Sequence, residues 1–219
     1  MLWQALRLSL MVVSVATLAI AVAGTALGYL LAKRRFRGRE ILDAVLTLPM
    51  VLPPTVTGYY LILILGRRGL IGQPLFQLTG WSIAFTWFAA VIAATVIALP
   101  LMVRSARAAI ESVDSRYEIT SYTLGKSEFE TFFRITLPLA RRGILAGIVL
   151  SFARAFGEFG ATLMLAGNIP GRTQTMPLAI FEAVVSGEDE RARWIALILT
   201  GVSVTVVYLT NRLTRPRSA

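Results

Sequence analysis

The chain has 219 residues, 56% of them hydrophobic, against about 45–50% in ordinary soluble domains. Cysteine and histidine are absent, which excludes disulfides, thiolate chemistry, most zinc sites and histidine-based catalysis. The apolar residues are gathered into long runs, so the chain reads as an all-α membrane protein, and its formal charge of +10 as membrane topology rather than nucleic-acid binding.

Five spans are expected, at about 8–32, 41–65, 81–103, 143–165 and 194–213, within one membrane domain covering 5–213. The first, Leu8 to Ala32, is 25 residues without a charge. A helix rising about 1.5 Å per residue needs about 20 to cross the hydrocarbon. Ala21-Val22-Ala23 would pass as a signal-peptidase site, but the apolar run continues to Lys33-Arg34-Arg35, a stop-transfer pattern. The second span contains Pro49, Pro53 and Pro54. Each removes an amide donor and crowds the turn before it, and the freed carbonyls need protein or water. A static kink would meet that need. A segment lining a pathway or gate is favoured, because broken spans mark transport sites. Trp81 and Trp194 open the third and fifth spans at the outer interface. Residues 177–186 are apolar but too short to cross, and read as an interfacial or re-entrant helix on the outer side.

The connections alternate in charge. Segments 33–40, 104–142 and 212–219 hold 15 Lys/Arg; segments 1–7, 66–80 and 166–193 hold 6. The first set is therefore expected in the cytoplasm, with the N-terminus outside and the C-terminus inside.

The loop 104–142 is the most informative connection. Ser115-Arg116-Tyr117-Glu118 fits a capping box that starts a helix running to Leu124. Gly125 follows as a left-handed cap residue. Ser127-Glu128-Phe129-Glu130 fits a second box, opening a helix with Phe129, Phe132, Phe133 and Leu137 on one apolar stripe. Pro138 closes that helix or kinks it into the next span. A short capped helix held away from the bilayer needs something to pack on. An ordinary connector lying on the membrane is the alternative.

Glu118, Gly125, Ile135 and Leu137-Pro138, with nine residues between Gly125 and Ile135, resemble the EAA loop of ABC importer permeases. Further stretches resemble the molybdate permease family of these importers: Leu52-Pro53-Pro54, Gly66-Arg67-Arg68-Gly69, Phe156-Gly157-Glu158-Phe159-Gly160 and Asn168-Ile169-Pro170-Gly171. Sulfate/thiosulfate permeases share parts of these stretches and are the alternative within the class. The family's alanines after the glutamate are here Ile119, Thr120 and Ser121.

The resemblance implies a type I importer fold with a cytoplasmic coupling helix. It implies a homodimer of permease subunits, two cytoplasmic ABC ATPase subunits and an extracytoplasmic oxyanion-binding protein, assembled in the cytoplasmic (inner) membrane. Glu118, Gly125, Ile135, Leu137 and Pro138 would couple to the ATPase. The chain contains no G-x-x-x-x-G-K-[ST] phosphate loop, so ATP and Mg are expected on the partner, with no catalytic residue, metal or cofactor here. Arg154 and Glu158 are four apart in the fourth span and are expected to share a helix face. They would line the route for a dianion, or neutralise each other and fix packing. The second is favoured, because Glu158 would repel the dianion. Gly157 and Gly160 suit close helix packing. Asn168, Pro170 and Gly171 form an outer turn that would contact the binding protein, or a plain turn. A self-sufficient channel or secondary transporter is the rival class. Such carriers show repeats and more spans.

Overall fold

The computed structural model describes residues 2–214, and every regular element among them is helical. The basic tail from Arg215 onward, counted in the charge bias, lies outside the described residues. Helix α1 (Leu2–Lys33) is continuous over 32 residues, about 48 Å at the usual rise. It lies along α5 (Trp87–Glu111), and α8 (Leu137–Phe156) packs on another face of α5. These helices approach closely at glycines. A Cβ on Gly28 would stand 2.8 Å from the Ala106 Cβ and 3.0 Å from the Arg107 amide nitrogen. Gly143 faces Ala109, and Gly147 faces Ser105 and Met102. Lipid tails are as apolar as leucine, so helix association in the bilayer depends on such close contact rather than on burial alone. The buried core is correspondingly rich in alanine: Ala16, Ala89, Ala90, Ala94, Ala98 and Ala106, with Ile20, Met102 and Ile110 filling the larger gaps.

Two expected spans are not continuous helices over the ranges expected. Residues 41–65 divide into α2 (Arg39–Val51) and α3 (Pro54–Leu65), which meet at 119°. Their 13 and 12 residues reach only about 20 and 18 Å, short of the roughly 30 Å hydrocarbon core. Pro53 cannot donate to the ladder of α2. Pro54 suits the first turn of α3, where an amide would be unpaired anyway. The expected span 143–165 is also broken. α8 stops at Phe156, Gly157-Glu158-Phe159 is not helical, and α9 (Gly160–Ala166) follows.

The fourth span also begins earlier than expected. Its helical path starts at α7 (Glu128–Thr131), widens into a π-helical turn at Phe132–Thr136 and continues as α8. Pro138 accounts for the widening: it has no amide for the Arg134 carbonyl and its ring crowds that group. The Leu137 N–H reaches back instead to the Phe132 carbonyl. Pro138 therefore neither closes the helix nor stops it. α5 begins at Trp87 with Thr86 capping the Ala89 N–H, so Trp81 precedes the helix rather than opening it. A short helix not expected from the sequence, α4 (Gly72–Thr79), follows α3. α10 (Met176–Val185) matches the short apolar segment, and α11 (Asp189–Thr214) contains Trp194.

The two breaks pack on each other. A Cβ on Gly160 would lie 3.1 Å from the Pro54 Cβ and 3.1 Å from the Thr55 nitrogen, and one on Gly58 would lie 2.7 Å from the Ala161 Cα. Ala161 clusters with Ala93 and Ile97 of α5. The crossing therefore sits beside the interior of a spanning helix, inside the bilayer.

Gly28→Leu should lower the thermal midpoint of the detergent-solubilised protein, since backbone on α5 cannot yield as a side chain would. Overpacking of this kind costs about 1–3 kcal/mol. Gly201→Leu, where nothing lies within 4 Å, should leave the midpoint unchanged by the same assay.

Candidate functional site

The loop between α5 and α8 folds into a compact unit. Helix α6 (Ser115–Thr123) is capped by Asp114, whose carboxylate accepts the Arg116 N–H at 2.9 Å. The expected box at Ser115 is not formed, because the helix is capped one residue earlier, by the Asp114 carboxylate. Glu118 is thereby released from capping and turns inward. It is 7% exposed. Lys33 Nζ donates to one carboxylate oxygen at 2.6 Å and Thr136 Oγ1 to the other at 2.6 Å.

Gly125 sits at φ +76°, with the Lys126 N–H bonded to the Ser121 carbonyl and the Gly125 N–H to the Tyr122 carbonyl. That pair of bonds is the Schellman motif. The second capping box forms as expected, with Glu130 and Ser127 satisfying each other's amides.

α6 and its C-cap leave several large side chains exposed among polar ones. Tyr117, Ile119, Tyr122 and Leu124 are all exposed. Ile119 and Thr120, which stand where the resembling family has alanine, are exposed with them, whereas Ser121 is buried against the Thr131 hydroxyl at 2.8 Å. Burial, then the nearby Glu118 and Glu128 carboxylates, push the Tyr122 phenol up. Ile135 and Leu137 are half-buried at the base of α8, and Pro138 is exposed. A second tie joins the loop to α1: Tyr29 Oη donates to Glu128 at 2.8 Å, Arg34 pairs with the other Glu128 oxygen, and Phe132 meets the Tyr29 ring edge-on at 4.8 Å.

At the crossing of the breaks, Arg154 Nη1 lies 2.8 Å from Glu158 Oε2. Glu158 is not on the α8 face with Arg154, since the helix has already ended. Its other oxygen accepts the Ala161 N–H at 2.8 Å and so caps the start of α9. The Glu158 side chain is 2% exposed and that of Arg154 is 35% exposed. Pro53, Thr55 and Gly157 stand exposed around the crossing, with Pro54 half-buried. Pro49 lies within α2. Gly160 makes the close approach expected of it, but the nearest atom to a Cβ on Gly157 is the Ala153 carbonyl at 3.9 Å.

After α9, Pro170 and Gly171 are exposed at a turn, with Gly171 at φ +74°. Asn168 is turned inward, accepting from Gln174 at 3.1 Å. Lys33, Tyr29 and Thr136 are the partners that sequence reasoning missed. Lys33 had been absorbed into the stop-transfer run, and no local spacing links residue 33 to residue 118.

The chain matches the model of the family described as binding-protein-dependent transport system inner membrane component over residues 24–218. It belongs to that family. The molybdenum transport system permease protein ModB of Escherichia coli K12 is 44% identical over 220 residues, covering 99% of this chain and 96% of that one. A putative molybdenum transport system permease protein of Bacillus subtilis, YvgM, is 43% identical over 193 residues, covering 88% and 85%. Among solved structures, a bacterial ABC transporter that imports alginate aligns at a TM-score of 0.78 with 14% identity, over 99% of this chain and 79% of that one. The MetNI methionine transporter in an inward-facing state aligns at 0.70 with 13% identity, over 98% and 93%. These structural likenesses establish the fold as that of ABC importer permeases. The chain is thus a multi-pass membrane subunit of a transport system.

Position 125 offers open space around a Cβ, so any penalty there is backbone strain alone. Gly125→Val should uncouple ATP hydrolysis from uptake in the reconstituted transporter, through about 1–2 kcal/mol of left-handed strain. Gly125→Asn, which tolerates that conformation better, should retain more coupling in the same measurement of substrate moved per ATP.

Proposed function

We propose that this chain is the membrane-spanning permease subunit of an ABC importer for molybdate. The observation that carries the reading is the 44% identity to a molybdenum permease over 99% of the chain. Two copies would pair around a central route, two ATPases carrying ATP and Mg would bind from the cytoplasm, and an oxyanion-binding protein would deliver the ion from outside. Tungstate, of the same charge and geometry, would use the same route. The charge bias of the loops puts the N-terminus outside and the coupling loop with the C-terminus inside.

The exposed Tyr117 and Leu124, two turns apart on one side of α6 and its C-cap, would give the docking face for the ATPase. Aromatic and branched side chains on one short helix are the anchors such an interface uses. Approach of the two ATPases draws the α6 helices together, and the spans respond by opening outward. Hydrolysis reverses the motion. Glu158 and Arg154 hold the break between α8 and α9 by a neutral pair. They offer the dianion no net attraction, so the ion is passed along rather than trapped.

A self-sufficient secondary transporter would leave this exposed face of α6 without a purpose. Leu124→Asp should therefore abolish co-purification of the ATPase with the permease and with it ATP-dependent molybdate uptake. An ATPase that stays bound to this variant would contradict the docking face.

Arg154→Gln should reduce the yield of assembled complex, because it leaves Glu158 buried and unpaired. Arg154→Gln with Glu158→Gln should restore the yield and transport molybdate near the parental rate. Loss of uptake by the assembled double variant would assign Arg154 to the route itself.

A further inference from the structure

We infer that Lys33, at the cytoplasmic end of α1, is a positioning residue for energy coupling: it holds Glu118 against the end of α1, so that α6 moves with α1. This rests on α6 being the docking helix. Both Glu118 oxygens are engaged within the chain, at 2.6 Å from Lys33 Nζ and 2.6 Å from Thr136 Oγ1. The Glu118 side chain is 10% exposed and that of Lys33 22%. The carboxylate is thus held on both oxygens by groups of its own chain. It ties three elements at one point: the end of α1, the coupling helix, and the π-helical base of α8.

Its surroundings reinforce the tie. Glu128 is bound by Tyr29 and Arg34, one turn below and one residue beyond Lys33. Ser121 bonds Thr131 in the buried seam between α6 and α7. α1 is therefore gripped by both halves of the coupling loop. At its other end the Ser9 hydroxyl accepts the Met176 N–H at 2.7 Å, in a buried contact with the first turn of α10. Between these ends Gly24 and Gly28 press α1 onto Met102 and Ala106 of α5. One continuous helix thus joins the ATPase-facing loop to the segment that follows the outer turn. A displacement of α6 is carried along it only while Lys33 and Glu118 remain paired.

The test uses the assembled transporter in vesicles, with ATPase and binding protein, and reads molybdate imported per ATP hydrolysed. Lys33→Met and Glu118→Gln should each lower that ratio by about fivefold or more, the scale of a coupling free energy between sites. In Lys33→Met the ATPase bound per permease should stay at the parental level. Lys33→Arg should keep the ratio, and the exchanged pair Lys33→Glu with Glu118→Lys should recover most of it, as a double-mutant cycle requires of directly paired residues. Parental coupling in Lys33→Met would overturn the inference. So would an exchanged pair no better than the sum of its single changes, or ATPase lost from Lys33→Met and not regained in the exchange. Failure of the docking helix itself is read separately, as ATPase retained by Leu124→Asp.

Discussion

A peptide group freed from its ladder inside a bilayer finds no water, and leaving it unpaired costs several kcal/mol. The region around residues 51–61 and 156–161 is arranged around that cost, because the backbone leaves its helical ladder there in two places. Prolines end α2 at Val51, and α8 stops at Phe156. The two breaks are then laid against each other, with Gly160 on Pro54 and Gly58 on Ala161, so that protein covers much of the irregular backbone. Glu158 supplies the remaining partner by capping α9 through its carboxylate. Its buried charge in turn requires Arg154. Proline, glycine, acid and base at the crossing follow from one constraint.

Some of that crossing is not covered. Pro53, Thr55 and Gly157 are exposed in the single chain. Irregular backbone at this depth is tolerated only against protein or along a water-filled cavity. These positions need a neighbouring chain or water to cover them. The continuous helices α1, α5 and α8 form the frame against which the broken pair can move. The loop between α5 and α8 is fastened to that frame through Lys33 on Glu118 and through Tyr29 and Arg34 on Glu128.

Much of this was legible in the sequence. Run length gave the first span within a residue at its inner end, and the spacing Ser127 to Glu130 gave the second capping box. Gly125 at φ +76° is the left-handed residue that its place after an apolar turn implied. Hydropathy could not reveal that 41–65 turns through 119°, because apolar content is indifferent to direction. The break at Gly157 was hidden for a related reason: glycine and a lone charge are tolerated in a continuous span, and only the carboxylate's capping of Ala161 makes the stop. Asp114 outcompeted Ser115 as cap, a shift of one residue that local pattern cannot resolve. That shift matters, since it frees Glu118 for Lys33, 85 positions away in the chain.

The most direct measurement uses the absence of native cysteine in this chain. Thr55→Cys and Gly157→Cys would be introduced singly into the assembled transporter in vesicles and treated with a charged, membrane-impermeant thiol reagent, with and without ATP. If the crossing lines the route, both positions react in at least one nucleotide state, and molybdate delivered by the binding protein slows the reaction. If both react only with a lipid-soluble reagent in every state, the breaks face the bilayer and the account is wrong.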